Sequence, residues 1–293
     1  MYRGTFTALV TPFTADNKVD ELAFRKLIDF QFDNGVTGIV PVGTTGESPT
    51  LSHEEHQHVI ALAAKFADGR GPVIGGTGSN STDEAIELTK AAEAAGCEAV
   101  LQVCPYYNKP SQEGLFHHFK AVADSTSCRI ILYSIPGRSG IEIGIDTTAR
   151  LAAACPNIVS MKEAGGSVER VNQLVASCPD SFTTLSGDDS LTLSFMAVGA
   201  MGVISVASNV IPRQMSDLVN AALQDDYKAA RAIHRKYYPL FSAFLKLDTN
   251  PVPVKTALKH MGFTNGNLRL PMVSMPDSKD AELKAALAAV GII

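Results

Sequence analysis

Short apolar runs rich in β-branched residues alternate along the chain with longer segments whose apolar residues recur at helical spacing. The short runs predict strands at Phe6–Thr11, Gly38–Gly43, Pro72–Thr77, Glu98–Cys104, Arg129–Ser134, Asn157–Lys162, Phe182–Gly187 and Gly202–Val206. Interiors such as Val100-Leu-Gln-Val103 and Ile130-Ile-Leu-Tyr133 are nearly continuous in apolar residues. That is the pattern of strands covered on both faces. Between them, Glu21–Gly35 carries Leu22, Phe24, Leu27, Ile28 and Phe32 at helical spacing, and Ser52–Asp68, Thr82–Ala95 and Ser111–Asp124 follow similar patterns. Ser52 before His-Glu-Glu and Ser81 before Thr-Asp-Glu read as helix starts, and Gly35 and Gly96 as stops. Strands and helices alternating in this way predict an α/β chain, a (β/α)8 TIM barrel.

A doubly wound open sheet is the competing architecture, and it usually carries a phosphate-binding fingerprint. Gly76-Thr-Gly78 lacks the third glycine of the dinucleotide motif, and Gly43–Ser48 lacks the lysine of a P-loop. Beyond the eighth strand, Pro212–Leu223, Tyr227–Leu247, Pro251–Met261 and Ser278–Val290 read as helices. The expected organisation is a barrel over residues 1–208 and a C-terminal helical subdomain over 209–293.

Composition narrows the setting. The net charge of −5, with Lys and Arg dispersed, argues against a nucleic-acid surface. Anionic substrates must then be held by a few placed groups. Cys97, Cys104, Cys128, Cys155 and Cys178 form no CxxC pair and read as reduced thiols. No basic region precedes an apolar one at the N-terminus, and no run reaches the ~18 apolar residues of a membrane span. A soluble, cytoplasmic protein is expected, with no membrane and no nucleic-acid partner.

Active sites of βα barrels lie at the C-terminal ends of the strands. Here those ends carry Thr44 and Thr45, Tyr106 and Tyr107, Tyr133, Lys162, Gly187 and Ser205. Hydroxyls and one amine converge. Lys162 closes an apolar strand, so its amine should lie in a partly desolvated pocket. An amine with a pKa of ~10.4 is neutral only about four times in ten thousand at pH 7, and burial lowers that pKa. A lysine so placed is a candidate nucleophile, although pairing with Glu163 is the bland alternative. Tyr133 and Tyr107 are candidates for moving protons. The backbone amides of Gly43-Thr-Thr-Gly-Glu-Ser48 offer a cradle for a carboxylate. Arg138, in Pro136-Gly-Arg-Ser-Gly140, offers a bidentate clamp for another. His53, His56 and His58 lack zincin spacing because position 57 is Gln, so no metal is expected.

Seven motifs in order make the chain resemble the dihydrodipicolinate synthase family of the N-acetylneuraminate lyase superfamily, nearly end to end. They are Gly43-Thr-Thr-Gly-Glu-Ser48, Pro105-Tyr-Tyr-Asn-Lys-Pro110, Ile131-Leu-Tyr-Ser-Ile-Pro136, Met161-Lys-Glu-Ala164, Ser186-Gly-Asp-Asp189, Gly202-Val-Ile-Ser205 and Asn250-Pro-Val-Pro-Val-Lys255. The resemblance implies a class I lyase in which Lys162 forms a Schiff base with pyruvate. Tyr133, Thr44 and Tyr107 then correspond to a proton relay, with Tyr107 reaching a neighbouring subunit. Thr45, Ile204 and Gly187 match substrate-binding positions, and Arg138 matches the arginine that receives the carboxylate of L-aspartate 4-semialdehyde. The implied product is 4-hydroxy-tetrahydrodipicolinate, on the diaminopimelate route to lysine, and no dissociable cofactor is implied. A homotetramer, a dimer of dimers, is usual in the family. Feedback inhibition by L-lysine is implied at Ser48, Pro49, His53, His56, Asn80, Glu84 and Tyr106. Two departures stand out: Pro49 replaces a small residue, and Ser134 replaces the Asn that often follows the tyrosine. The alternatives are a lyase for N-acetylneuraminate or a 2-keto-3-deoxy sugar acid, and a non-catalytic sensor on a retired barrel. The intact lysine–tyrosine–threonine set speaks against the sensor.

Overall fold

The computed structural model describes residues 1–293. Its strands are β1 (Gly4–Ala8), β2 (Gly38–Val40), β3 (Ile74–Gly76), β4 (Ala99–Val103), β5 (Arg129–Ser134), β6 (Ile158–Glu163), β7 (Thr183–Ser186) and β8 (Gly202–Ser205). All pair in parallel in the order β2-β1-β8-β7-β6-β5-β4-β3. A parallel bridge between Ile39 and Val73 closes the ring. This is the expected (β/α)8 barrel.

The helices are α1 (Glu21–Asp33), α2 (His53–Ala67), α3 (Thr82–Ala94), α4 (Gln112–Asp124), the single turn α5 (Pro136–Ser139), α6 (Ile145–Ala154), α7 (Val168–Ser177) and α8 (Thr192–Met196). After the last strand come α9 (Pro212–Leu223), α10 (Tyr227–Lys246), α11 (Val252–His260) and α12 (Asp277–Ala289). The start signals act as the sequence suggests. Ser52 accepts from the Glu55 amide while the Glu55 carboxylate accepts from the Ser52 amide, a capping box that begins α2. Ser81 caps α3 in the same way from one side.

Several strands are shorter than their apolar runs, and the second shows why. It stops at Val40 because Pro41 has no amide to donate and Val42 turns into left-handed backbone at φ 56°. The chain thus leaves the sheet three residues before the expected end and delivers Thr44 to the barrel mouth.

Two apolar layers follow from the alternation of strand side chains. Phe6, Val40, Ile74, Leu101, Ile131 and Leu185 fill the barrel interior, whereas Ile39, Val100, Ile130 and Leu132 face the surrounding helices. A third cluster joins α8 to α12, and α9 packs against β1, β8 and α1. The C-terminal residues therefore add a helix to the barrel wall. They also extend over its mouth, where Asn250 and Lys255 bond to residues of the loop after β2. All five cysteines are unpaired, and no helix is long and apolar enough to cross a membrane.

Candidate active site

Parallel pairing sends all eight strands toward one mouth. Register places Tyr133 of β5 opposite Lys162 of β6, so both side chains point into the barrel. The Lys162 Nζ lies 4.2 Å from the centroid of the Tyr133 ring. Lys162 is only 5% exposed. Burial lowers its pKa to about 8; the Asp189 carboxylate opposes that shift and the Arg138 guanidinium adds to it. Burial raises the Tyr133 phenol to about 12, with Arg138 and the Thr44 hydroxyl pulling it back. Asp189 is itself raised to about 6 by burial. It accepts from Ser205 Oγ at 2.5 Å, the Val206 amide at 3.1 Å and the Ala207 amide at 2.8 Å.

These groups border a cavity of about 110 Å³ whose wall includes Thr44, Thr45, Tyr133, Arg138, Lys162, Gly187, Asp189 and Asn250. A neighbouring cleft of about 230 Å³ shares Thr44, Tyr133 and Arg138 with it and continues to Ser48, Pro49 and Tyr106. Gly187 admits no side chain. A Cβ there would stand 2.7 Å from Ala164 Cβ and 3.0 Å from Lys162 Cε. Thr45 is buried and its Oγ1 accepts from Asn250 Nδ2 at 3.0 Å. Arg138 Nη2 donates to the Asn250 carbonyl at 3.2 Å, which holds the exposed guanidinium over the opening. The arrangement offers a partly neutral amine, two hydroxyls beside it, and one cation at the entrance. Such a set suits nucleophilic attack on a carbonyl of an anionic substrate.

Two of the expected site residues do not border this chain's own cavity, and for Tyr107, expected at a neighbouring subunit's site, that is no departure. Ile204 is fully buried on β8 and does not line the cavity. Tyr107, on the loop after β4, is 89% exposed in left-handed backbone at φ 74° and borders neither space.

Most of the residues set apart as a lysine pocket gather where α2 and α3 begin. His53 Nε2 and Glu84 Oε1 are 2.7 Å apart, and Ser79 Oγ donates to the other Glu84 oxygen. The Ser79 hydrogen bond, assisted by the one from His53, holds the Glu84 carboxyl below its usual range. His56 is buried, bonds the Gly76 carbonyl at 2.7 Å, and is pushed toward the neutral form by that burial. Asn80 donates to the Tyr106 carbonyl at 3.1 Å. Ser48 and Pro49 line the 230 Å³ cleft with Tyr106.

The family model described as the dihydrodipicolinate synthetase family matches residues 1–290. The chain belongs to this family.

Among relatives in the dihydrodipicolinate synthetase family, the 4-hydroxy-tetrahydrodipicolinate synthase of Persephonella marina is 47% identical over 294 residues, covering 100% of both chains. The solved 4-hydroxy-tetrahydrodipicolinate synthase of Methylacidiphilum fumariolicum SolV superposes with a TM-score of 0.97 at 51% identity, over 99% of this chain and 96% of that one. A family structure from Cyanidioschyzon merolae, solved with lysine bound, gives 0.97 at 38% identity over 100% and 99% of the chains. Another neighbour, also 0.97 and 38% over 100% and 98%, is described as a monomeric variant. The chain is accordingly an enzyme, a lyase of the kind these relatives represent.

Sequence reading gave no role to Asp189, Asn250, Ser79 or Glu47, although three of them stand inside the quoted motifs. Asp189 ends Ser186-Gly-Asp-Asp189, and Asn250 opens the motif that closes on Lys255. A motif marks such residues; only the folded chain brings Asn250 to Thr45, a separation of 205 positions.

Proposed function

We propose that this lyase condenses pyruvate with L-aspartate 4-semialdehyde through a Schiff base on Lys162. The neutral amine attacks the pyruvate C2 carbonyl, water leaves, and an iminium forms. Loss of a C3 proton gives an enamine, whose C3 adds to the aldehyde carbon of the second substrate. The substrate amine then attacks C2, and Lys162 departs as the ring of 4-hydroxy-tetrahydrodipicolinate closes. Tyr133 and Thr44 carry the protons between these steps. The turn at Thr44 and Thr45 receives the pyruvate carboxylate, and Arg138 receives that of the semialdehyde. No dissociable cofactor is required, because the iminium is the electron sink.

The observation that supports this reading best is the desolvated Lys162 beside Tyr133, in a cavity entered past Arg138. Borohydride reduction in the presence of pyruvate, followed by peptide mass mapping, tests it. An adduct on any other lysine, or none, refutes the mechanism. A single guanidinium suits a short acidic aldehyde better than a polyhydroxylated sugar acid. Turnover with the semialdehyde and not with N-acetylneuraminate or 2-keto-3-deoxy sugar acids is therefore expected.

L-Lysine is proposed as a feedback inhibitor at the His53, His56 and Glu84 cluster with Ser48, Pro49, Asn80 and Tyr106. Glu84 supplies a carboxylate for an ammonium, and a family neighbour carries bound lysine. Assay with millimolar L-lysine checks it, and undiminished turnover sinks it. Self-association into a homotetramer is proposed through the exposed Tyr107, whose phenol completes the relay from an adjoining subunit. A monomer in solution with full activity contradicts that assignment.

A further inference from the structure

The carboxylate of Glu47 is buried at 3% exposure directly after the turn that carries Thr44 and Thr45. Glu47 stands in left-handed backbone at φ 56°, between the turns Thr44–Gly46 and Ser48–Thr50. A non-glycine residue holds that conformation when its surroundings over-determine it. Here they do. Lys255 Nζ, itself fully buried on α11, donates to Glu47 Oε1 and also to the Thr11 carbonyl at 2.9 Å. The Thr11 hydroxyl in turn donates to the Gly46 carbonyl at 2.7 Å. The Arg269 amide donates to Glu47 Oε2 at 3.1 Å, and its guanidinium reaches the Thr50 carbonyl at 2.9 Å. Phe13 lies against both cations, 4.3 Å from each. None of these groups borders the Lys162 cavity.

We propose that Glu47 is a positioning residue for the synthase reaction, clamping the Thr44–Gly46 turn to the C-terminal extension through Lys255 of α11 and Arg269 of the segment after it so that the Thr44 hydroxyl meets Tyr133. The inference rests on the assignment of Thr44 to the proton relay. It gives the C-terminal extension a part in catalysis: its buried amine and the Arg269 amide fix a turn that the barrel itself holds through Thr11 and through the Thr44–Tyr133 contact. Burial of an ion pair is costly, and a pair of apolar residues of similar volume often serves stability equally well. Stability is therefore a weak reason for this pair to exist, and register of the turn is a better one. The Lys255 ammonium is drawn down to about 8 by burial, with Glu47 pulling the other way.

Glu47→Gln and the double variant Glu47→Gln/Lys255→Met separate positioning from folding. The double variant leaves no unpaired buried charge and should keep the fold, checked by circular dichroism and Tm. Pyruvate and borohydride count competent Lys162 sites, and kcat is expressed per trapped site. Misplacement of the turn should lower kcat per trapped site about 100-fold in both variants, with full trapping retained. A merely structural role lowers the number of trapped sites and leaves kcat per site unchanged. A kcat per site within about twofold of the parent in the folded double variant overturns the proposal. Failure to trap the parent enzyme refutes the imine instead; kcat per folded chain then judges Glu47 by the same criterion.

Discussion

The protonation of Lys162 gives the sharpest quantitative test. A free lysine with a pKa of ~10.4 leaves about 0.04% of its amines neutral at pH 7, whereas a pKa of about 8 leaves about 9%, a gain of roughly 200-fold. The neutral fraction should rise nearly tenfold from pH 6 to pH 7, reach half near pH 8, and be flat above pH 9. Competitive labelling with an amine-arylating reagent reads this directly. The rate at the Lys162 peptide is divided by the rate at an added amine standard of known pKa and multiplied by that standard's neutral fraction, which cancels the reagent's own pH dependence and leaves the neutral fraction of Lys162. Steric shielding lowers the absolute rate but not the midpoint. Asp189→Asn removes the carboxylate that opposes the shift, so its midpoint should move to still lower pH. A midpoint at 10 or above in the parent would show that burial does not depress the amine and would remove the ground for assigning it as nucleophile. Stability moves with pH in the same direction as reactivity, but over a higher window. Between pH 8 and about 10.5 the unfolded chain binds the Lys162 proton and the native chain does not, so this site's contribution to stability increases as pH rises across that window. Below it, burial of the ammonium is a standing cost.

Gly187→Ala should cost about 1–3 kcal/mol of stability and displace the Lys162 side chain, since the new Cβ meets Lys162 Cε and Ala164 Cβ; thermal unfolding and borohydride trapping measure the two effects, and unchanged trapping contradicts the steric reasoning. Arg138→Ala should raise KM for the semialdehyde roughly 10- to 100-fold, the worth of a charge-assisted hydrogen bond, while pyruvate trapping persists; an unchanged KM would remove Arg138 from the aldehyde site. Arg170→Ala should destabilise by about 3–5 kcal/mol, because it strands the fully buried Glu163 carboxylate that accepts from Arg170 Nε at 2.8 Å. Denaturant titration checks this, and a loss below about 1 kcal/mol would mean that Glu163 is held well enough by the Gly165 amide.

The legibility of the chain followed the range of the interactions. Strand and helix periods are local, so all eight strands and the long helices α1 to α4 could be read directly. The C-terminal end of β2 falls three residues short of the expected one because apolar Val42 continues the run in composition while its backbone leaves the sheet. The helices α6 and α7, ten residues each, were passed over between strands that were recognised on either side. Lys162 and Tyr133 were legible because strand ends in a barrel point to one place, so two local assignments fix a third-dimensional neighbour. Glu163 illustrates the same logic in reverse. The bland reading paired Lys162 with Glu163, but consecutive strand residues face opposite sides, and Glu163 turns outward to Arg170.

Asn250 and Lys255 were not assignable in this way, since no periodicity connects α11 to the loop after β2. What they have in common is that each satisfies a polar group which the Thr44–Glu47 segment cannot satisfy by itself. The segment carries a left-handed glutamate, a hydroxyl facing the cavity and a following proline, so it forms no regular ladder to a neighbouring strand. Buried polar atoms need partners, and these come from beyond the eighth strand. A turn freed from the sheet gains access to the cavity and loses the sheet's positioning. The bonds from Asn250, Lys255 and Arg269 hold the turn from outside the barrel instead, and that is the ground for the positioning role proposed for Glu47 and the chain beyond the eighth strand.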